Sequence, residues 1–103
     1  MKGSRILSIR SKASFEIVEA AAWYEKRAEG LGEKLKADIE KACNRILNNP
    51  EAFTKINKGS RIRRIILEKF PYKIFFTFTE VGIEILAIIH SSRSNAYMKR
   101  RLK

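Results

Sequence analysis

Apolar residues recur at helical spacing in the first half of the chain, and the second half carries short apolar runs. Residues 12–29 and 33–48 each have an apolar stripe with the spacing of one helix face. The stripes are Ile17, Ala21, Tyr24 and Ala28 in the first segment, and Leu35, Ile39, Ala42 and Ile46 in the second. Ser11 is placed to cap the first helix, and Gly30 follows its end. Two helices joined by the short GLG connection predict an antiparallel helical hairpin.

Four short segments rich in β-branched and aromatic residues are typical of strands. They are residues 5–10, 61–68, 72–79 and 81–89, and short turn-like connections separate the last three. Three successive strands of this kind predict an antiparallel meander. The order β-α-α-β-β-β therefore predicts one α+β domain over residues 1–103. The helical hairpin is expected on one face of a small, mainly antiparallel sheet.

Charge divides the chain into two parts that the apolar pattern does not reveal. The chain has 22 Lys and Arg against 11 Asp and Glu, for a net charge of +11. Residues 13–52 hold eight acids and six bases, which leaves three acids and sixteen bases for the rest. This asymmetry favours a polyanionic partner, either nucleic acid or an acidic protein, over a surface that is merely well solvated.

Several classes of function lack support in the sequence. It contains no phosphate-binding loop, nucleophile elbow or zinc-protease motif. One His and one Cys cannot build a metal site, so neither a metal nor another cofactor is expected. Cys43 falls in an apolar helical pattern and is interpreted as a core residue rather than a nucleophile. No apolar run is long enough to cross a bilayer, so we expect a cytoplasmic protein without membrane association.

Basic side chains and one tyrosine stand near the ends of the predicted strands, where a meander could bring them together. They are Arg61, Arg63, Arg64, Lys73, His90, Arg93 and Tyr97. Arg and Lys bind phosphates and stabilise developing negative charge, and His moves protons near neutral pH. The set is typical of a metal-independent ribonuclease or of a patch that binds RNA or protein. The alternative is structural: a solvated strand face, a hydrogen-bonding His90 and a Tyr97 that packs the tail onto the sheet.

The C-terminal residues after the last predicted strand are basic and polar. Lys99, Arg100 and Arg101, together with Arg61 and Arg63, are candidates for binding nucleic acid or a protein target. The alternative for the C-terminal three is a frayed tail. In the first helix, Trp23 and Tyr24 are interpreted as packing residues.

Three segments together resemble the RelE/ParE toxin superfamily. They are WYEKRAEGLGEKLKADIEKACNRILNNPEAF (23–53), RIRRIILEKFPYKIFF (61–76) and ILAIIH with the SSRSNAY that follows (85–97). The resemblance implies the toxin of a type II toxin–antitoxin pair. It also implies a cognate antitoxin as partner, and the basic half of the chain fits the usual acidity of such antitoxins. RelE-like members cut mRNA in the ribosome without a metal, whereas ParE-like members inhibit DNA gyrase.

The resemblance divides the candidate residues between these two activities. Arg64 and Lys73 fall where RelE-like enzymes carry basic catalytic residues, and Tyr97 falls near their tyrosine. Ile66 stands where a further lysine is expected, and Ser91 where a catalytic arginine is expected.

Arg93 lies two residues after Ser91, the position where that arginine is expected. His90 and the FPY turn look ParE-like. The incomplete cluster favours gyrase inhibition. Two alternatives stay open: a ribosome-dependent mRNA endonuclease, and a non-toxic member that binds its antitoxin as a co-repressor. In the endonuclease, Arg64, Lys73, Arg93 and Tyr97 would act, with His90 as a proton carrier.

Overall fold

The computed structural model of the chain describes residues 6–102. It contains strands β1 (Ile6–Ile9), β2 (Arg63–Ile66), β3 (Tyr72–Phe78) and β4 (Gly82–His90). The helices are α1 (Ser11–Arg27), α2 (Leu31–Asn48), a 3-10 turn (Pro50–Ala52) and α3 (Asn95–Leu102). Residue 5, where the first predicted strand begins, lies outside the described residues. None of the helices within 6–102 is long and apolar enough to span a membrane.

The four strands form one mixed sheet in the order β1-β4-β3-β2. Strands β2, β3 and β4 are successive and antiparallel, and β1 pairs in parallel with β4 through Ile6↔Gly82 to Ile9↔Ile85. The predicted α+β class, the meander and the helical hairpin on one face are therefore confirmed.

The helical hairpin depends on close backbone contact at its loop. Gly30 has a φ of 86°, which is unfavourable for a residue with a side chain. A Cβ at Gly32 would lie 2.6 Å from the Ala21 carbonyl oxygen, so α1 and α2 approach there because residue 32 is glycine. The Glu25 carboxylate accepts the N–H groups of Gly30 and Gly32, each at 2.9 Å, and these bonds lower the pKa of Glu25. The short GLG connection thus sets the spacing of the two helices.

A β-bulge in β4 decides which side chains face the helical hairpin. Phe75 pairs with Ala87 and Phe76 with Ile85, so Leu86 is an extra residue. Strict alternation would place residues 83, 85 and 87 on one face. With the bulge, Ile88 instead joins residues 83 and 85 in the core under the hairpin.

The opposite face of the sheet carries a second, smaller apolar cluster. Phe75, Ala87 and Ile89 are buried there, and α3 covers them with Tyr97, Met98 and Leu102. The alternative of a frayed tail at Lys99, Arg100 and Arg101 is wrong, because these residues lie in α3, whose three apolar side chains have this cluster to pack against.

Two predictions for α1 are also wrong. Ser11 does not cap the helix, because Arg10, the residue after β1, takes the N-cap position and its carbonyl already accepts the Ser14 N–H. Trp23 is 50% exposed rather than packed in the core, and the Arg27 guanidinium stacks 3.4 Å from the centre of its ring. Tyr24 does pack against the core, in edge-to-face contact with Phe70 and Tyr72.

Candidate functional site

The sheet face that carries α3 has a basic cavity of about 640 Å³, which we call the sheet-face cavity. Its floor is apolar and its charged lining residues, within the described chain, are all basic. The lining residues are Ile56, Asn57, Ile62, Arg64, Lys73, Phe75, Asn95, Met98, Lys99 and Leu102. An apolar floor with cationic walls can bind a phosphate or a carboxylate.

Strand alternation places Arg64 and Lys73 in this cavity. In β3, Ile74 and Phe76 face the helical hairpin, so Lys73 and Phe75 face the other way. Arg64 lies directly opposite Phe75 in the β2–β3 register and therefore shares its face. The structure thus brings together two of the predicted catalytic residues and adds Lys99 from α3.

The other three predicted catalytic residues lie in a different place. An open groove of about 610 Å³ runs between α1 and the end of β4, and we call it the edge groove. Its lining includes Phe15, Glu19 and Trp23 from α1, and His90, Arg93 and Tyr97 from the C-terminal part.

Helix α3 separates the sheet-face cavity from the edge groove. Asn95, Met98, Lys99 and Leu102 follow the spacing of one helix face and line the sheet-face cavity. Tyr97 and Arg101 lie on another face of the same helix, on the side of α1 and β4. The predicted catalytic set is therefore divided: Arg64 and Lys73 line the sheet-face cavity, and His90, Arg93 and Tyr97 line the edge groove.

His90 is held by local contacts at the end of β4. The Ser92 backbone N–H donates to Nδ1 at 3.0 Å, and the Ser92 hydroxyl oxygen lies 2.8 Å from the same atom. Nδ1 is thus an acceptor, so the neutral ring carries its proton on Nε2. The ring meets Tyr72 edge-on, with 5.1 Å between ring centres. Burial, with the neighbouring Tyr24, raises the pKa of Tyr72.

Arg93 and Tyr97 form a stacked pair at the rim of the edge groove. The Arg93 guanidinium carbon lies 4.4 Å from the centre of the Tyr97 ring. Such stacking orients the cation while leaving its N–H groups available to an anionic group.

Two of the five arginines and lysines predicted to bind nucleic acid or target already have protein partners. Arg63 Nη1 donates to the Phe53 carbonyl at 2.7 Å. Arg101 makes a two-point ion pair with Glu16, with both N–O distances 2.8 Å, and it also donates to the Leu86 carbonyl at 3.3 Å.

Arg61, Lys99 and Arg100 are exposed. Among the five residues predicted to bind nucleic acid or a protein target, these three have cationic groups that face solvent and can contact a partner.

Sequence reasoning missed the contribution of α1 to the edge groove. Phe15 is 60% exposed and Trp23 50% exposed, two turns apart on the same stripe. The signal that could have found them is the width of the apolar surface on α1, which exceeds what one core-facing stripe needs. Glu16 was also missed, because its partner Arg101 lies 85 residues away.

Cys43 is half-buried in α2 against the main core. Burial, with nearby Glu40, raises the pKa of its thiol to about 11. Because this pKa lies above the ordinary value of 9.0, the thiolate fraction near pH 8 falls about 100-fold. We expect a thiol reagent to modify the folded protein at least about 100-fold more slowly than the urea-unfolded chain at pH 8.

The rate for the folded protein should rise as pH increases through 9 to 11, which stopped-flow absorbance with an aromatic disulfide reagent measures. Equal rates for folded and unfolded protein would contradict this assignment of Cys43 to the core.

Among residues 6–102 no group of three or more His, Cys, Asp or Glu side chains could hold a metal ion.

Comparison with known proteins places this chain in a family. Residues 7–95 match the family model of the ParE toxin of the type II toxin–antitoxin system parDE. No curated protein sequence matches the chain significantly.

Solved toxins share the fold. A chain of the chromosomal ParDE system from P. aeruginosa is 21% identical, with a TM-score of 0.69 over 84% of this chain and 96% of that one. The isolated E. coli RelE toxin is 20% identical, with a TM-score of 0.57 over 93% of this chain and 94% of that one. A substituted E. coli RelE in complex with a peptide of its antitoxin RelB is 18% identical, with a TM-score of 0.62 over 94% of each chain. The chain belongs to the ParE toxin family of type II toxin–antitoxin systems, within the RelE/ParE superfamily.

Proposed function

We propose that this protein inhibits bacterial growth by acting on DNA gyrase, and that a cognate antitoxin neutralises it. The choice of target rests on one observation: the predicted catalytic residues are divided between the sheet-face cavity and the edge groove. Proton transfer and charge stabilisation in RNA cleavage require groups within hydrogen-bond reach of one phosphodiester. Arg64 and Lys73 lie in the sheet-face cavity, whereas His90, Arg93 and Tyr97 lie at the edge groove.

The match to the ParE family model supports the same choice. ParE-like toxins do not need a cleavage site, so the division of these residues is compatible with their activity. On this proposal Lys73 is a binding residue rather than a catalytic one.

An antitoxin partner is supported by the relatives and by the charge of the chain. E. coli RelE forms a complex with a peptide of its antitoxin, and the ParDE structure is named for a toxin–antitoxin system. The net charge of +11 favours an acidic binding partner.

A second candidate function, ribosome-dependent mRNA cleavage, is favoured by the composition of the sheet-face cavity. Arg64, Lys73 and Lys99 converge there without an acidic neighbour among the lining residues of the described chain. Three cations can hold a phosphodiester and stabilise extra negative charge during cleavage. This activity would require a proton carrier other than His90, which lies at the edge groove.

Induction of the protein alone in a bacterium separates the candidates. We expect growth arrest with altered plasmid supercoiling or DNA breaks, and mRNA 5′ ends that match the uninduced culture. The double variant Arg64→Ala/Lys73→Ala is the matched control. New mRNA ends inside translated codons that this variant abolishes would overturn gyrase as the target and establish the nuclease. Normal growth of the wild-type strain would instead support a non-toxic co-repressor.

A further inference from the structure

Residues 54–64 fold back on themselves as a two-stranded ribbon, which we call the basic arm. The Arg64 N–H donates to the Thr54 carbonyl at 3.0 Å, and the Ile56 N–H donates to the Ile62 carbonyl at 2.9 Å. A turn closed by a backbone hydrogen bond of 3.2 Å joins the two halves. The second half runs directly into β2, so the sheet holds the base of the arm in place.

The basic arm lies on the same side of the sheet as α3. Ile56 and Ile62 pack against the cluster of Phe75, Ala87 and Ile89, which α3 also covers. Both the arm and α3 contribute side chains to the lining of the sheet-face cavity. The cavity therefore has the arm as one wall and α3 as the other.

Both walls carry cations at their surface. Lys58 and Arg61 of the arm are exposed, and so are Lys99 and Arg100 of α3. Residues 52–67 contain no acid and five bases, which are Lys55, Lys58, Arg61, Arg63 and Arg64. A surface with several cations and no intervening acid attracts a polyanion more strongly than a single anion.

This surface offers a partner charge rather than apolar contact. Among residues 6–102, none of the large apolar side chains that are exposed belongs to the basic arm or to α3. Protein interfaces are centred on buried apolar and aromatic anchors, which such a surface does not provide. A nucleic acid, whose contacts to protein are mostly made through phosphates, is the better match.

The cavity favours a duplex over a single strand. Single-stranded nucleic acid is typically held by aromatic rings on which its bases stack. Phe75, the one aromatic residue that lines the cavity within the described chain, is only 1% exposed, so its ring is not open for stacking. A duplex keeps its bases stacked inside and presents phosphates, which are what the two cationic walls can bind.

We propose that the basic arm and α3 bind the phosphate backbone of duplex DNA, so that the toxin recognises gyrase on DNA rather than gyrase alone. This inference rests on the proposed function, because that proposal places the toxin at an enzyme that holds duplex DNA. The contacts come from the arm, from α3 and from the cavity between them, through Lys58, Arg61, Arg64, Lys73, Lys99 and Arg100. Binding is independent of sequence, because these cations meet phosphates rather than base edges.

Fluorescence anisotropy of a labelled linear DNA duplex measures binding by the full-length toxin. For the wild type, log K should fall with log salt concentration with a slope of about −3 to −5, because roughly four phosphates are neutralised. Arg61→Glu with Lys99→Glu should weaken binding at least about 50-fold at about 50 mM salt, and should reduce the magnitude of the slope by about 2.

The matched control is Lys26→Glu with Lys34→Glu, which changes the net charge equally but lies on the helical hairpin. This control should bind the duplex within about fivefold of the wild type and keep its slope, because distant exposed charges are screened by salt. All four lysines and arginines are exposed, so both double variants should keep a Tm within about 4 °C of the wild type. Equal losses of duplex affinity in the two double variants would overturn the assignment of DNA binding to this surface.

A second measurement uses purified gyrase. Wild-type toxin should bind gyrase with a DNA duplex at least about tenfold more tightly than gyrase alone, because two linked contacts then act together. Arg61→Glu/Lys99→Glu should lose most of this difference while its affinity for gyrase alone stays at the wild-type value. Equal wild-type affinity for gyrase with and without DNA would overturn recognition of the DNA-bound enzyme.

The outcomes distinguish a failure of this inference from a failure of the proposed function. Wild-type duplex affinity in Arg61→Glu/Lys99→Glu would overturn the inference, while inhibition of supercoiling by the wild type would keep gyrase as the target. Unchanged gyrase activity with the wild type would overturn the target, and the anisotropy would still decide whether the arm binds duplex DNA. Tighter binding of a single-stranded oligoribonucleotide than of duplex DNA at equal salt would overturn the choice of a duplex.

Discussion

Replacing Glu16 with alanine is expected to lower the free energy of unfolding by about 3–5 kcal/mol. The Glu16 and Arg101 side chains are only 16% and 8% exposed, and their two-point ion pair joins α1 to α3. Removal of the carboxylate leaves a nearly buried guanidinium without its charge partner and the Ile88 N–H without its acceptor. For a domain of this size the Tm should fall by at least about 12 °C.

A double-mutant cycle in urea checks this expectation. Arg101→Met alone should also destabilise, and Glu16→Leu/Arg101→Met should recover much of the loss, because no buried charge then remains unpaired. The exposed pair Glu33–Lys36 is the control, and its removal should change stability by about 1 kcal/mol or less. A loss below about 1 kcal/mol for Glu16→Ala would show that α3 is held by its apolar contacts alone.

The second large effect is expected for Phe76→Ala, with a loss of about 3–5 kcal/mol. Phe76 is fully buried between the sheet and the helical hairpin, and its ring lies edge-on to Phe53, with 6.1 Å between ring centres. Both β2 and β4 pair with β3 at this residue, so the main chain cannot move in to fill the cavity. Because small domains have a total stability of about 5–15 kcal/mol, this loss is a large fraction of the total, and the Tm should fall by at least about 12 °C.

Thermal unfolding followed by circular dichroism measures the loss. Phe15→Ala, the same truncation at an exposed ring, should change stability by about 0.5 kcal/mol or less. Equal losses in the two variants would contradict the placement of Phe76 in the main core.

Local periodicity explains why the fold class could be predicted. The helix stripes and the strand alternation each depend on neighbouring residues, and tertiary packing does not override them in α1, α2 and β3. The bulge at Leu86 could not be read in this way. Residues 83, 85 and 88 have mixed spacing, and residues 85–89 are all apolar, so the two faces of this part of β4 look alike in sequence.

Helix α3 escaped prediction for a different reason, and the candidate site was misjudged with it. Tyr97, Met98 and Leu102 form a short apolar stripe, and the run Lys99-Arg100-Arg101 hides it. Eight residues make a marginal helix in isolation, so its formation depends on the cluster at Phe75. His90 lies opposite Tyr72 in the β3–β4 register and shares its face of the sheet, whereas Lys73 faces the other way, so His90 and Lys73 line different surfaces.

The parallel pairing of β1 with β4 has a consequence for how this toxin matures. It joins residues 6–9 to residues 82–85, and the Glu16–Arg101 pair joins residues 85 apart. During synthesis the helical hairpin can form early from local contacts, but the first strand has no partner until residues 82–85 have been made. Closure of the sheet and docking of α3 therefore wait for the synthesis of residues 82–102. A nascent chain that stops before residue 82 lacks both the edge groove and the sheet-face cavity, so it cannot present these surfaces to a partner.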